Sequence, residues 1–323
     1  MMKWKVLYII PAVVTTDMGI EDYFEDVHEV LNKGLKIFNK TKENAEEDVK
    51  IVKEWAESQP HLPEAPNNHM IMCFLMMNKF SIENAKQKID MYYTMRSLFP
   101  DFFENKHPLS PHMLNTMDDL CFLPLPKTTD EGYRVTIIQA FHDNTENFDI
   151  CNFFALAYNV IEVRFQEDYP VGDVIIYDFT NLRMGHLVQF TPTIMKKTAT
   201  ILEKTYNNNV KQVHCVNYPK FAEPVINLSM KMVKPKLAQR FRFHKEVDTM
   251  KNFIPVRILP KDYGGEELSL KELNEIWKLK FVHHKERFDL LEKLRVDENL
   301  RPTPLTNDEQ LGFYGNFKKI SVD

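Results

Sequence analysis

The stretch from Val210 to Gly265 constrains what this chain can fold into more than any other. It opens with Val210-Lys211-Gln212-Val213-His214-Cys215-Val216, a strand-like run closed by Asn217-Tyr218-Pro219, because proline fixes φ and stops a ladder. A helix then begins near Pro224, which is tolerated in a first turn where its missing N–H would have been unpaired anyway. At helical spacing Val225, Ile226, Leu228, Met230, Met232 and Val233 spread over roughly 200°, against the ~100° stripe of an ordinary surface helix. Asn227, Lys231 and Lys234 supply the polar edge. Such a helix is either sunk in a core or turns one apolar face to a cavity and another to a membrane or partner. The cations Lys236, Arg240, Arg242 and Lys245 just beyond it favour the second reading.

Upstream, apolar residues recur at three and four from Glu21 to Phe38 and from Asn44 to Ser58, giving two helices with charged outer faces. Gln59-Pro60-His61-Leu62-Pro63-Glu64-Ala65-Pro66 cannot continue a helix and marks a linker. Asn68 to Lys79 carries a methionine-rich stripe, expected as core packing, and Ser81 caps a helix to Leu98. Pro100 to Asp130 reads as a long connection. From Tyr133 the pattern changes. Short β-branched runs at Val135–Phe141, Val174–Asp178, Val210–Val216 and Val256–Ile258 alternate with helical segments Ile150–Glu167, Leu187–Tyr206 and Pro224–Lys234, which predicts an α/β fold with a mostly parallel sheet. Ser269-Leu270-Lys271-Glu272 is a capping box ahead of one long helix, and Leu300 to Asp323 reads as an irregular tail.

Composition excludes several classes. Nine glycines in 323 residues leave no Gly-rich phosphate loop, and a net charge of -5 gives no global pull toward nucleic acid. The four cysteines lack C-x-x-C spacing and sit in apolar contexts, so buried thiols in a reducing compartment are expected rather than disulfides or zinc. Met1 to Val14 imitates a signal peptide but has Pro11 in mid-run and no small-x-small cleavage site. No run reaches the ~18 apolar residues of a membrane span. A soluble, cytoplasmic protein is expected.

Asn217 to Glu267, ending in Phe253-Ile254-Pro255-Val256-Arg257-Ile258-Leu259-Pro260-Lys261-Asp262-Tyr263-Gly264-Gly265-Glu266-Glu267, resembles the lid and closing strand of the CRAL-TRIO (Sec14-like) lipid-binding family. Tyr177-Asp178-Phe179 and Thr191-Pro192-Thr193-Ile194-Met195-Lys196-Lys197 strengthen the resemblance, which is greatest to the tocopherol-carrying branch. Val49 to Trp55, Gln59 to Pro63 and Asn78-Lys79-Phe80 resemble the small N-terminal helical domain of that family. The resemblance implies a helical domain over residues 1–98, a connection over 99–130, a lipid-binding domain with a mobile lid over 131–268, and a C-terminal helix and tail over 269–323.

It also implies one lipid in a hydrophobic cavity between sheet and lid. The family's ligand-facing positions fall on Phe154, Tyr158, Ile175, Tyr177, Leu187, Ile201, Leu202, Tyr206, Val213, Val225, Ile226 and Val233. Phe154 and Tyr158 replace small hydroxyl residues of the tocopherol carriers, which changes the shape of the pocket. Of the family's four phosphoinositide-binding cations, Lys236 and Arg240 are kept, while Asn78 and Asn209 stand at the other two positions beside Lys79 and Lys211. This favours general attraction to anionic membranes over a specific phosphoinositide site.

The implied function is a carrier that moves a tocopherol-, retinoid- or carotenoid-like molecule between membranes, with no cofactor or metal beyond the bound lipid. A Sec14-like phospholipid or phosphoinositide exchanger is the alternative. Asp178, His186 and His214 fall near predicted strand ends, where open α/β sheets bind ligands, and are the candidates for a hydrolase. Hydrogen-bonded wall residues are the plainer reading of them. His283 and His284 are helix neighbours that point apart and make a poor metal pair. An interaction protein whose lid binds a partner helix is a further class. The expected assembly is a monomer without nucleic acid.

Overall fold

The computed structural model describes residues 23–206, 209–232 and 235–305. The signal-like start, Val233, Lys234 and most of the tail fall outside them.

Four helices come first: α1 (Val27–Ile37), α2 (Lys42–Glu57), α3 (Asn68–Met77) and α4 (Ile82–Leu98). Each starts where a short polar side chain accepts a first-turn N–H: Asp26 from His28, Thr41 from Asn44, Asn67 from Met70 and Ser81 from Asn84. The methionine stripe is core, since every residue of α3 from Met70 to Met77 is buried. The proline-rich 59–66 segment links α2 to α3 without regular structure.

The stretch read as a connection instead carries α5 (Pro100–Phe103), α6 (Pro111–Asp119) and β1 (Leu120–Thr128). β1 is the antiparallel edge of a five-stranded sheet in the order β1-β2-β3-β4-β5, with β2 (Arg134–Ala140), β3 (Asp173–Asp178), β4 (Val210–Val216) and β5 (Phe241–His244) parallel to one another. Pro124 and Pro126 obscure β1 in the sequence; prolines are accommodated there because an edge strand need not donate every N–H.

The crossovers are α7 (Ile150–Glu167), then α8 (Met184–Leu187) with α9 (Pro192–Ile201), then α10 (Glu223–Met232) with α11 (Pro235–Ala238). Right-handed crossovers that always step the same way put these helices on one face of the sheet. The segment expected as one helix from Leu187 to Tyr206 is divided. Residues 188–191 break it, Thr191 caps α9 with Pro192 in its first turn, and a π-helical turn, Leu202–Tyr206, ends it.

Val256–Ile258 is a 3₁₀ turn rather than a strand. Pro255 and Pro260 on either side remove ladder donors, and the segment closes with one bridge between Pro260 and Glu267. The fourth parallel strand is β5, only four residues long, with Arg242 and His244 alternating with its two phenylalanines, which hides it from a periodicity reading. Gly264 takes φ 70°, and a Cβ on Gly265 would lie 1.9 Å from the Leu259 carbonyl oxygen, so this turn requires glycine at both places.

The opposite face of the sheet carries α12 (Val247–Met250) and the 3₁₀ turn Lys261–Tyr263, and α13 (Leu270–His283) packs on β1. Ser269 and Glu272 form the expected capping box, but the helix divides at His284 into α13 and α14 (Lys285–Leu291). One buried polar network ties α4, α7 and α14 together. Glu162 accepts from Tyr92 Oη at 2.5 Å and from Arg287 Nε at 2.8 Å, while Arg287 also reaches Glu64 at 2.6 Å. Burial pushes the Glu162 carboxyl up, yet Arg287 and Arg96 outweigh it and hold the group below its usual range.

Candidate ligand cavity and neighbouring basic surface

A cavity of about 260 Å³ lies between the crossover face of the sheet and α7, α9 and α10. Its floor comes from register partners. Ile138 on β2 stands beside Tyr177 on β3, which stands beside Cys215 on β4. The period of two in each strand sends the alternate residues, Gln139 and Asp178, to the other face, where the Tyr263 hydroxyl donates to Asp178 at 2.9 Å.

Of the residues that the sequence singled out, Phe154, Tyr177, Leu187, Leu202, Val225 and Ile226 line this cavity. Tyr158, Ile201 and Tyr206 do not: each is at most 2% exposed and belongs to the main core. Tyr158 lies one helical turn beyond Phe154 and is stacked against Phe103 and Tyr206, with ring centroids 5.2 and 5.5 Å away. Ile175 and Val213 share the floor's face but do not line the cavity; they pack in a small cluster with Leu237 and Phe241, of which Phe241 reaches the wall. Val233 lies outside the described residues.

Several wall residues were missed. Phe148, Phe153 and Phe190 meet edge-to-face or tilted around Phe154, and Phe179 stacks on Tyr177 with centroids 6.2 Å apart. Phe148, Phe179 and Phe190 sit in loops, where no periodicity marks an inward face. Phe153 adjoins the predicted Phe154, and Phe241 opens a strand that was itself missed.

The catalytic candidates are held apart and hydrogen-bonded. His186 accepts from the Arg183 N–H at its Nδ1, 3.0 Å away, which places its own proton on Nε2, facing the Asn144 carbonyl at 3.2 Å. Burial pushes its pKa down, so the ring is neutral. His214 belongs to a different network on β4 and β5, and its Nδ1 is 2.8 Å from Nε2 of His244. Asp178 accepts from Thr180, Gln139, Asn217 and Tyr263. Among the described residues there is no group of three or more His, Cys, Asp or Glu side chains able to hold a metal ion.

Beside α11 the structure draws four cations from distant segments into one field. Burial lowers the pKa of Lys211 first, and the charges of Arg240, Lys79 and Lys236 lower it further. Asn78 and Asn209 serve the backbone here, donating to the carbonyls of Phe74 and Val171 at 2.8 and 3.0 Å. Met184 on α8 and Val188 just after it are 54% and 67% exposed, and Phe221, in the Lys220–Ala222 turn against α8, is 39% exposed. Among the described residues no helix is long and apolar enough to cross a membrane.

Residues 120–265 match the model of the CRAL/TRIO domain family, and residues 41–113 match that of the Pinta-like UBA domain. Human and mouse proteins named alpha-tocopherol transfer protein-like are each 28% identical over 223 residues, 68% of this chain and 64% of theirs. The chain thus spans less than two thirds of the length of those relatives. Clavesin-1 of Xenopus laevis is 22% identical over 242 residues, 73% of each chain. The crystal structure of Sfh5 superposes with a TM-score of 0.47 at 13% identity, covering 80% of this chain and 98% of that one. The whole five-stranded, mostly parallel sheet, from Leu120 to His244, lies within residues 120–265, the part of the chain that matches the CRAL/TRIO domain family.

Proposed function

We propose that this protein is a cytosolic, monomeric, non-enzymatic carrier that takes one small tocopherol-, retinoid- or carotenoid-like molecule from a membrane, encloses it beneath α10 and α11, and delivers it to another membrane. The observation that carries this reading is the aromatic-walled cavity of about 260 Å³ under α10, on whose wall Val225 and Ile226 form part of the cover. Apolar area removed from water contributes about 25 cal/mol per Å², so enclosing several hundred Å² of ligand stabilises the complex by several kcal/mol without any chemistry. The names of the relatives, alpha-tocopherol transfer protein-like, support the same class of cargo. The exposed Met184, Val188 and Phe221 and the cations Lys79, Lys211, Lys236 and Arg240 support contact with an anionic membrane during loading.

The test is organic extraction of the purified protein with mass spectrometry of the extract, followed by titration with fluorescent retinoid, tocopherol and phospholipid analogues. The expected result is a single lipophile and saturable binding of at least one analogue. Absence of both overturns the carrier reading.

A further inference from the structure

We infer that the molecule taken into the cavity is an uncharged lipophile with one oxygen function, and that the Tyr177 hydroxyl is the group that selects it. This rests on the carrier reading and goes further, because it follows from the hydrogen-bonding state of each polar group on the wall.

Among the described residues no lysine or arginine lines the cavity. A carboxylate or phosphate inside would therefore lose its hydration with no countercharge in return. The polar residues on the cavity wall, among those described, are Gln139, Tyr177, Asp178, His186 and Thr198. Four of these are already engaged with the protein. Asp178 holds Gln139 Nε2 at 3.1 Å as part of its network on the far side of the sheet. Both ring nitrogens of His186 are bonded to backbone groups, and the Thr198 hydroxyl donates to the carbonyls of Ile194 and Met195, each 3.1 Å away.

Tyr177 differs. It points to the cavity side of β3 between Ile138 and Cys215, and its hydroxyl has no hydrogen-bond partner among the described residues. Burial, with a smaller contribution from Cys215, pushes the phenol up to about 12, so it is protonated at neutral pH and able to donate. An unpaired hydroxyl in an apolar chamber is costly, and a ligand oxygen placed against it relieves that cost. A pure hydrocarbon leaves it unpaired, and an anionic lipid brings a charge that one phenol cannot stabilise.

The experiment uses the delipidated full chain and calorimetric titration at neutral pH with two matched series: farnesol, farnesoic acid and farnesene, and retinol, retinoic acid and the corresponding retinyl hydrocarbon. In whichever series binds, the alcohol is expected to bind about three- to tenfold tighter than the hydrocarbon, the yield of one added hydrogen bond. The acid is expected to bind weakest. Tyr177→Phe should bring the alcohol down to the hydrocarbon's affinity while leaving hydrocarbon binding and the circular dichroism spectrum unchanged.

An acid that equals or exceeds its alcohol overturns the inference, as does a Tyr177→Phe variant that weakens all three members equally, since that result assigns Tyr177 to packing alone. Saturable binding with no alcohol preference overturns the inference and leaves the carrier reading standing. Failure of every compound to bind, with nothing extracted from the purified protein, overturns the carrier reading beneath it.

Discussion

His214 on β4 and His244 on β5 lie with their rings stacked and Nδ1 of the first 2.8 Å from Nε2 of the second. The pair fastens the sheet to the strand that the chain enters directly after α11. Gln212 Oε1 lies 3.0 Å from the outer nitrogen of His214, and Thr249 Oγ1 lies 2.8 Å from that of His244, so a chain of hydrogen bonds shares its protons across the pair. Phe253 covers both rings, and Arg242 is the cation that faces them.

Acid should loosen this fastening. Burial, then His244 and Arg242, lowers His214 to about 4, while burial and then Arg242 lower His244. The folded chain therefore binds fewer protons here than the unfolded chain. The stability contributed by the neutral pair is complete above the unfolded histidine value of about 6.5 and is lost as pH falls from there through about 4. Each pH unit in that window costs up to about 1.4 kcal/mol for His214. Thermal unfolding followed from neutral pH down to acid should show this slope, and His214→Gln should flatten it; an unchanged slope would show that other groups set the acid limit.

Substitutions in the cover should separate folding from transfer. Ile226 and Val225 are half-buried on the cavity wall, so Ile226→Asp places a carboxylate against ligand and, when the cover opens, against lipid. Transfer of a fluorescent lipophile between vesicles should fall at least tenfold while the circular dichroism spectrum stays folded. Unchanged transfer would make α10 a plain scaffold helix.

Membrane contact should depend on charge without head-group chemistry. Lys236 is exposed and Arg240 lies in the same positive field as Lys79 and Lys211. Each cation near an anionic surface is worth about 1 kcal/mol and is screened within a Debye length. Lys236→Glu with Arg240→Glu should weaken vesicle binding strongly, ligand affinity little, and the wild-type binding should fade with salt. A preference for one phosphoinositide over phosphatidylserine at matched charge, persisting in moderate salt, would show a stereospecific site instead.

The Glu162 network should be a major source of stability across the helical layers. Glu162 is 2% exposed and accepts from both Tyr92 and Arg287, so Glu162→Ala takes its carboxylate from the buried Arg96 and leaves Arg287 with the Glu64 carboxylate alone. A loss of about 3–5 kcal/mol in urea unfolding is expected. Adding Arg287→Met should recover part of it, and strict additivity of the two changes would show that they do not interact.

The sequence by itself determined the elements whose signals are local. The central strands β2, β3 and β4 and the helices α7 and α10 follow from periodicity, and the starts of α4 and α13 follow from Ser81 and Ser269, because a cap or an apolar stripe depends on residues a few positions apart. Six wall residues were also legible through the resemblance to a known family. Tertiary structure alone decided what depends on distant partners. β1 and β5 exist because β2 and β4 offer them open edges, which outweighs prolines in one and short length in the other. Phe154 and Tyr158 occupy one helical face, yet only Phe154 reaches the cavity, because Phe103 and Tyr206 arrive from other elements to enclose Tyr158. The four cations beside α11 become a single field only because the fold brings residue 79 to residues 211, 236 and 240, and charges interact through the space between them, whatever their separation along the chain.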